Sequence, residues 1–251
     1  MNQCRVASSF LLGLFALPLS CAAQSANPQN SSPSASAYTV SARELSIPEK
    51  ARKAFFRGNQ DLALRDWAGS VAEFQRAIDA FPGYYEAYDK MGNAELDLDR
   101  GADAEAAFRK AIGLSAGRYA PPHSGLSLAL CRQKRFDEAE ASARTGVELD
   151  PAYAAGHFAL AWILYAGGRL PEAREQARQA ALEKPDFAEA YLLLAQIEMR
   201  QHDSAALVED LDEYLKLDPS GPATAKVTAI RDEAQRTLSE ESAVVVAKAN
   251  P

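Results

Sequence analysis

Residues 154–187 read AAGHFALAWILYAGGRLPEAREQARQAALEKPDF, and the apolar positions in this stretch decide the fold. His157, Leu160, Ala161 and Leu164 fall at i, i+3, i+4 and i+7, one face of a helix. Gly167 and Gly168 then interrupt the pattern, and both suit a turn better than a helix. A second stripe follows at Leu170, Ala173, Ala177, Ala180 and Ala181, and Pro185 stops it. The stretch predicts a helical hairpin: helix A, a tight turn, helix B, a proline stop.

The hairpin recurs about every 34 residues between residues 51 and 221. Ser70, Ala104, Ala139, Ala173 and Leu207 stand at intervals of 34, 35, 34 and 34, and twelve residues after each come Pro82, Ala116, Pro151, Pro185 and Pro219. A period of this length describes stacked supersecondary units rather than one closed core. Such arrays usually bind and rarely catalyse. Counting places within each unit, the eighth holds Gly58, Gly92, Ser127, Ala161 and Ala195, small enough for helix B to approach helix A closely. The twenty-fourth holds Phe74, Phe108, Ala143, Ala177 and Leu211, and the seventh is apolar in four units, at Met91, Leu126, Leu160 and Leu194. Small residues set the separation and larger ones fill the seams.

As a set, these columns resemble the tetratricopeptide repeat family over residues 51–221. That resemblance implies an all-α fold, a right-handed α-solenoid of five helical hairpins (51–84, 85–119, 120–153, 154–187 and 188–221) with a C-terminal capping helix over 222–240. Residues 46–240 would form the array and 241–251 a disordered tail. Three departures stand out: Arg57 at an apolar place, Ala116 where proline is expected, and bulky Leu207 and Tyr214 in the last unit. The first and last suit terminal units facing something other than a repeat. Ala116 coincides with the 35-residue interval, where the array is expected to bend or loosen.

The N-terminus differs from everything after it. Residues 1–23 carry Arg5 as their one charge, an apolar run from Phe10 to Leu19, then Ser20, Cys21, Ala22 and Ala23, the layout of a secretory signal peptide cleaved after Ala23. The apolar run is too short to span a bilayer. Cys21 leaves a second reading open, the lipid-modified residue of a bacterial lipoprotein, although Pro18 stands where that family's signal has leucine. Residues 24–45 then form a Ser-, Pro- and Asn-rich linker. Export would place the protein in the periplasm or outside the cell, with Cys131 as its one remaining thiol, expected to be at least partly buried.

A net charge of -7 argues against nucleic acid and anionic membranes as partners. The fifth unit alone holds eight acids against Arg200 and Lys216, either a solvated face or a surface for a cationic partner. The family resemblance implies that A helices line the concave wall. Places 5, 9 and 12, one step round from those facing helix B, are expected to face the groove. They hold Phe55, Asn59 and Leu62; Asp89, Asn93 and Leu96; Ser124, Leu128 and Cys131; Phe158, Trp162 and Tyr165; Leu192, Gln196 and Met199. The fourth unit presents three aromatics, with Tyr153 and Phe187 in the turns beside it. Rings flanked by Asn93 and Gln196 form a candidate peptide-binding surface, and the competing reading is that the rings only fill seams. The lysine-lined clamp by which one subgroup of the family holds chaperone C-termini is not expected, because Phe55 and Asp89 occupy the lysine places.

His123 and His157 share a column and read as replacements for its aromatic. The chain contains no nucleophile elbow, HExxH, phosphate loop or CxxC, so neither enzymatic activity nor a metal or other cofactor is expected. The expected function is a non-catalytic interaction scaffold holding a peptide or helix of a partner protein. Self-assembly through the acidic fifth unit or the cap, or a lipid-anchored envelope assembly factor, is the alternative.

Overall fold

The structure, a computed structural model, describes residues 46–249, with side chains over residues 46–240. The expected leader over 1–23 and linker over 24–45 lie outside the described residues. Among those described there are eleven helices and no strand: α1 (Glu49–Ala63), α2 (Trp67–Ala80), α3 (Tyr85–Asp97), α4 (Gly101–Leu114), α5 (Pro121–Arg132), α6 (Phe136–Leu149), α7 (Ala154–Ala166), α8 (Leu170–Glu183), α9 (Ala188–Gln201), α10 (Ser204–Leu217) and α11 (Thr224–Ala249). The all-α array of helical hairpins is therefore the observed architecture.

Every A-to-B turn within the array uses one backbone device. The fifteenth place of each unit is left-handed: Arg65 at φ 60°, Asp99 at 60°, Lys134 at 61°, Gly168 at 77° and His202 at 59°. Only the fourth unit puts glycine there, and the other four hold a side chain in a conformation that costs it roughly 1–2 kcal/mol. B helices end by a second device. The residue before each unit-ending proline is extended, with φ of -149° at Phe81, -144° at Asp150, -140° at Lys184 and -129° at Asp218, as proline demands of its predecessor. Ala116 breaks the rule for a physical reason. It sits at φ 53° and is followed by Gly117 at 71°, a conformation that proline's ring forbids. The extra residue of the 35-residue interval is absorbed in this turn, which is closed by a hydrogen bond from Gly117 N to Ile112 O at 2.8 Å.

Two compact units divide at Ala104 and Glu105. In the first, α1 packs on α2 and α2 on α3. Gly58 shows why its column is small: a Cβ there would stand 2.6 Å from the Phe74 ring. Phe74, Ala77, Ala51, Ala54 and Ala87 are fully buried or nearly so. In the second unit each hairpin pairs its own helices, α5 with α6, α7 with α8 and α9 with α10, and stacks on the next through α5 with α7, α6 with α7 and α8 with α9. A Cβ at Gly125 would meet the Phe108 ring at 2.3 Å, so glycine lets α5 close on α4.

α11 packs on α10, with Val227 and Ala234 buried against Leu207, Leu211 and Tyr214, which explains the bulky residues of the fifth unit: they meet the cap. The helix runs to Ala249, beyond the cap's expected end at residue 240 and into the segment expected as tail. Nothing between Glu240 and Ala249 is glycine or proline, so the sequence offers no stop.

Candidate binding face

The column at place 5 is a seam. Phe55 stacks on Tyr84 at 4.8 Å and on Phe74 at 5.6 Å, and Phe158 meets Phe187 at 5.1 Å. Both pairs join place 5 to the last residue of the same unit. In the third unit place 5 is a small residue: Ser124 is buried, and its Oγ would lie 3.0 Å from a Cβ at Gly146 of the same hairpin. Four of the five units end in a ring, Tyr84, Tyr119, Tyr153 and Phe187, and in the first and fourth that ring packs on place 5. Rings paired this way add roughly 0.5–1.5 kcal/mol beyond their area. Phe187 is buried and Tyr153 half-buried, so neither turn aromatic is an open contact point.

Asp89 occupies the same place in α3 and is 1% exposed, with neither carboxylate oxygen hydrogen-bonded among the described residues. Burial pushes its carboxyl up to about 6. The expectation that Asp89, Leu128 and Tyr165 face a groove is corrected, because all three are buried. Advancing one residue turns a helix by about 100°, which at place 5 of the first and fourth hairpins points at the aromatic that ends the same hairpin rather than at solvent. Tyr165 also carries the Arg200 guanidinium over its ring at 4.9 Å, and its carbonyl accepts from Arg200 at 3.1 Å.

Place 9 remains accessible. Asn59, Asn93, Trp162 and Gln196 are half-buried, and Leu128 alone is closed off. Asn59 Nδ2 donates to its own helix at Phe55 O, 2.9 Å away. The amides of Asn93 and Gln196 and the indole N–H of Trp162 make no hydrogen bond among the described residues. Trp162 rests against Tyr165 at 5.9 Å, which holds one edge and leaves the rest free. Cys131, at place 12, is half-buried and burial raises its thiol above the usual range.

Both histidines of the shared column are buried. His157 Nε2 lies 2.8 Å from Pro151 O and Nδ1 2.8 Å from Gln176 Oε1, a structural role. Burial lowers His123, while its contact with the Gly117 backbone works the other way. Among the described residues no group of three or more His, Cys, Asp or Glu is placed to hold a metal, and no helix is long and apolar enough to cross a membrane.

The opposite edge carries a network that the sequence reading missed. Arg135 Nη1 reaches back to Glu105 at 2.8 Å and Nη2 forward to Glu138 at 2.5 Å. One hairpin later Arg169 bonds Glu140 at 2.6 Å and also pairs with Glu172. Arg135 and Arg169 share place 16, and Glu105 and Glu140 share place 21, so both columns were visible. At the next joint the signs reverse: Arg174, at place 21, meets Asp203, at place 16, at 3.2 Å and pairs with the fully buried Glu198. Burial, reinforced by the negative charge of Glu198, pushes the neighbouring Asp210 carboxyl up to about 7.

The chain is 31% identical over 103 residues to the Protein STIP1 homolog of Dictyostelium discoideum, a match spanning 41% of this chain but 18% of that protein. Among solved structures it resembles a thermophilic TPR protein of Thermus thermophilus with a TM-score of 0.65 at 18% identity, covering 74% of this chain and 98% of that one. Yeast Tom70 superposes with a TM-score of 0.64 at 18% identity, over 79% of this chain and 42% of that one. At such identities the likeness is one of fold. Tetratricopeptide repeat family models match residues 57–120 and 130–197, together a little over half of the sequence. The chain belongs to the tetratricopeptide repeat family, whose fold typically serves as a non-enzymatic scaffold for protein–protein interaction.

Proposed function

We propose that this protein is a non-catalytic interaction module of the cell envelope or secreted space, and that it holds a peptide or helical segment of another protein against α7 and α9. Trp162 carries the reading. It is half-buried, its indole N–H is unspent, and it shares a register place with Gln196, whose amide is also unspent. A ring supplies contact area at low entropic cost, and free amide and indole groups pair with a peptide backbone. Phe158, Phe187 and Tyr165 support that surface from beneath by packing.

The test compares captured partners from envelope and secreted fractions using wild type and a Trp162→Ala, Gln196→Ala variant. Both positions are half-buried rather than core, so the variant folds and loses the partner. Retention of the same partner at the same affinity would count against the site. Export is read from the leader of residues 1–23, and the mass of the mature N-terminus decides between cleavage after Ala23 and a lipid on Cys21.

A further inference from the structure

The fifth hairpin holds eight acids against Arg200 and Lys216, and yet Arg200 takes none of them. Lys216 pairs with Glu213, Arg231 of α11 with Asp212, and Arg174 of α8 with Glu198 and Asp203. Arg200 is exposed near the end of α9 and makes no ion pair among the described residues. Glu189, the acid at the start of the same helix, lies about three turns away.

What holds Arg200 is a ring. Its guanidinium lies over Tyr165, 4.9 Å from the centroid, and Nη1 donates to Tyr165 O at 3.1 Å. Those two contacts hold the charge in place, while Nε and Nη2 make no hydrogen bond among the described residues. Tyr165 is buried, and Trp162 rests on it at 5.9 Å from the same helix. The cation and the indole thus share one buried ring as their support. Gln196, with its unspent amide, stands one turn before Arg200 on α9.

We propose that the segment bound on α7 and α9 carries a carboxylate that Arg200 receives, next to an apolar side chain seated on Trp162. This rests on the reading of those helices as the binding face and adds the partner's chemistry to it. An arginine presents its N–H groups as a planar fork that matches a carboxylate, and a guanidinium already held by a ring loses little freedom on pairing. Ring contacts of 4.9 and 5.9 Å separate the guanidinium from the indole. In an extended segment, at about 3.3 Å per residue, the acid and the apolar side chain therefore lie within about three residues of each other. The net charge of -7 opposes nucleic acid or an anionic lipid surface as the source of the negative group.

A random peptide display library panned on the purified protein supplies the probe. Selected peptides are expected to share an Asp or Glu within about three residues of an aromatic or aliphatic side chain. The tightest of them, and the same peptide with its acid replaced by the matching amide, are then titrated by fluorescence anisotropy. On wild type the amide peptide should bind about tenfold more weakly, the effect of one charge-assisted hydrogen bond. On Arg200→Gln, which keeps a donor for Tyr165 O, the two peptides should bind alike. If Arg200 only anchors α9 to α7, that variant weakens both peptides equally and leaves the ratio intact. On Arg200→Glu, panning should exchange the selected acid for Lys or Arg. Selected peptides without a shared acid, or an undiminished ratio on Arg200→Gln, would overturn the role of Arg200; the face itself would stand if Trp162→Ala, Gln196→Ala still abolishes binding. Panning that enriches no peptide, or peptides that bind the double variant as they bind wild type, would sink the face and the carboxylate together.

Discussion

The joints between successive hairpins in the second unit come in two kinds. Between the second and third hairpins, and again between the third and fourth, an arginine at place 16 reaches back to a glutamate at place 21; the arginines are 36% and 41% exposed, and the glutamates, at 16% and 28%, keep some contact with solvent. Between the fourth and fifth hairpins the charges exchange columns, and Arg174 also holds Glu198, which has no solvent exposure at all. The backbone register is the same in each case, so stacking geometry does not require a particular sign at either place. What differs is burial. An exposed pair is screened and contributes little, whereas a buried carboxylate depends on its partner for its charge.

The largest expected break in this comparison is Arg174→Ala. It strands Glu198 without a counter-ion and should cost about 2–3 kcal/mol, discounted because Arg174 is itself 25% exposed, as read by denaturant unfolding. Recovery of most of that loss in Arg174→Ala, Glu198→Leu would attribute it to the stranded charge.

Acidification separates the joints next. The Asp210 carboxyl is raised from its ordinary 3.8 to about 7, so its contribution is full below the ordinary value and is lost as pH rises through about 7. Burial works against the charge on Glu105, yet hydrogen bonds from Gln133, Arg109 and Arg135 outweigh it and hold its carboxyl below the usual range. Arg144 foremost does the same for Glu140. These two contribute above their ordinary value of 4.5 and lose that contribution as pH falls through the lowered one. Hydrogen exchange corrected for intrinsic rate should show α9–α11 gaining protection from pH 8 to pH 5 in wild type but not in Asp210→Asn, a difference of about 1–2 kcal/mol after solvent screening. An equal pH response in the variant would remove Asp210 as the cause.

The turns sharpen the contrast at about 1 kcal/mol. His202→Gly, at φ 59° in the fifth hairpin, should raise the melting temperature, and Gly168→Ala, at φ 77° in the fourth, should lower it. Smallest of all is Arg169→Ala, a loss that should disappear in about 1 M salt if the solvent-facing joints are as screened as their exposure implies.

Much of this fold was legible because repetition averages out local ambiguity. One hairpin read alone is a weak statement; five in register identify the turn, the stop and the small columns together. Ala116 was readable as a departure, but its left-handed φ was needed to explain why proline is excluded there. The binding face was less legible. Place 5 reads as a groove position when an isolated helix is rotated, but in the first and fourth hairpins the ring that ends the same hairpin occupies that direction. Phe158 and Trp162 look equivalent in sequence, four residues apart on one helix. Only packing separates a ring stacked on Phe187 from one with an unspent N–H. Glu198 was hidden for a related reason, since a glutamate reads as solvated until the arginine that buries with it is located.

By itself the sequence determined the hairpin, its period, its number of copies and the family, all of which depend on spacings of apolar, small and turn-forming residues along one chain. Tertiary structure decided which side chains are spent and which remain free: that Asp89, Leu128 and Tyr165 are closed off, that Arg174 neutralises Glu198, and that Trp162 is not fully used. The physical reason is that burial and charge pairing are properties of neighbours brought together across hairpins. A periodic sequence specifies that neighbours will meet, but their net exposure depends on how closely each pair of hairpins packs.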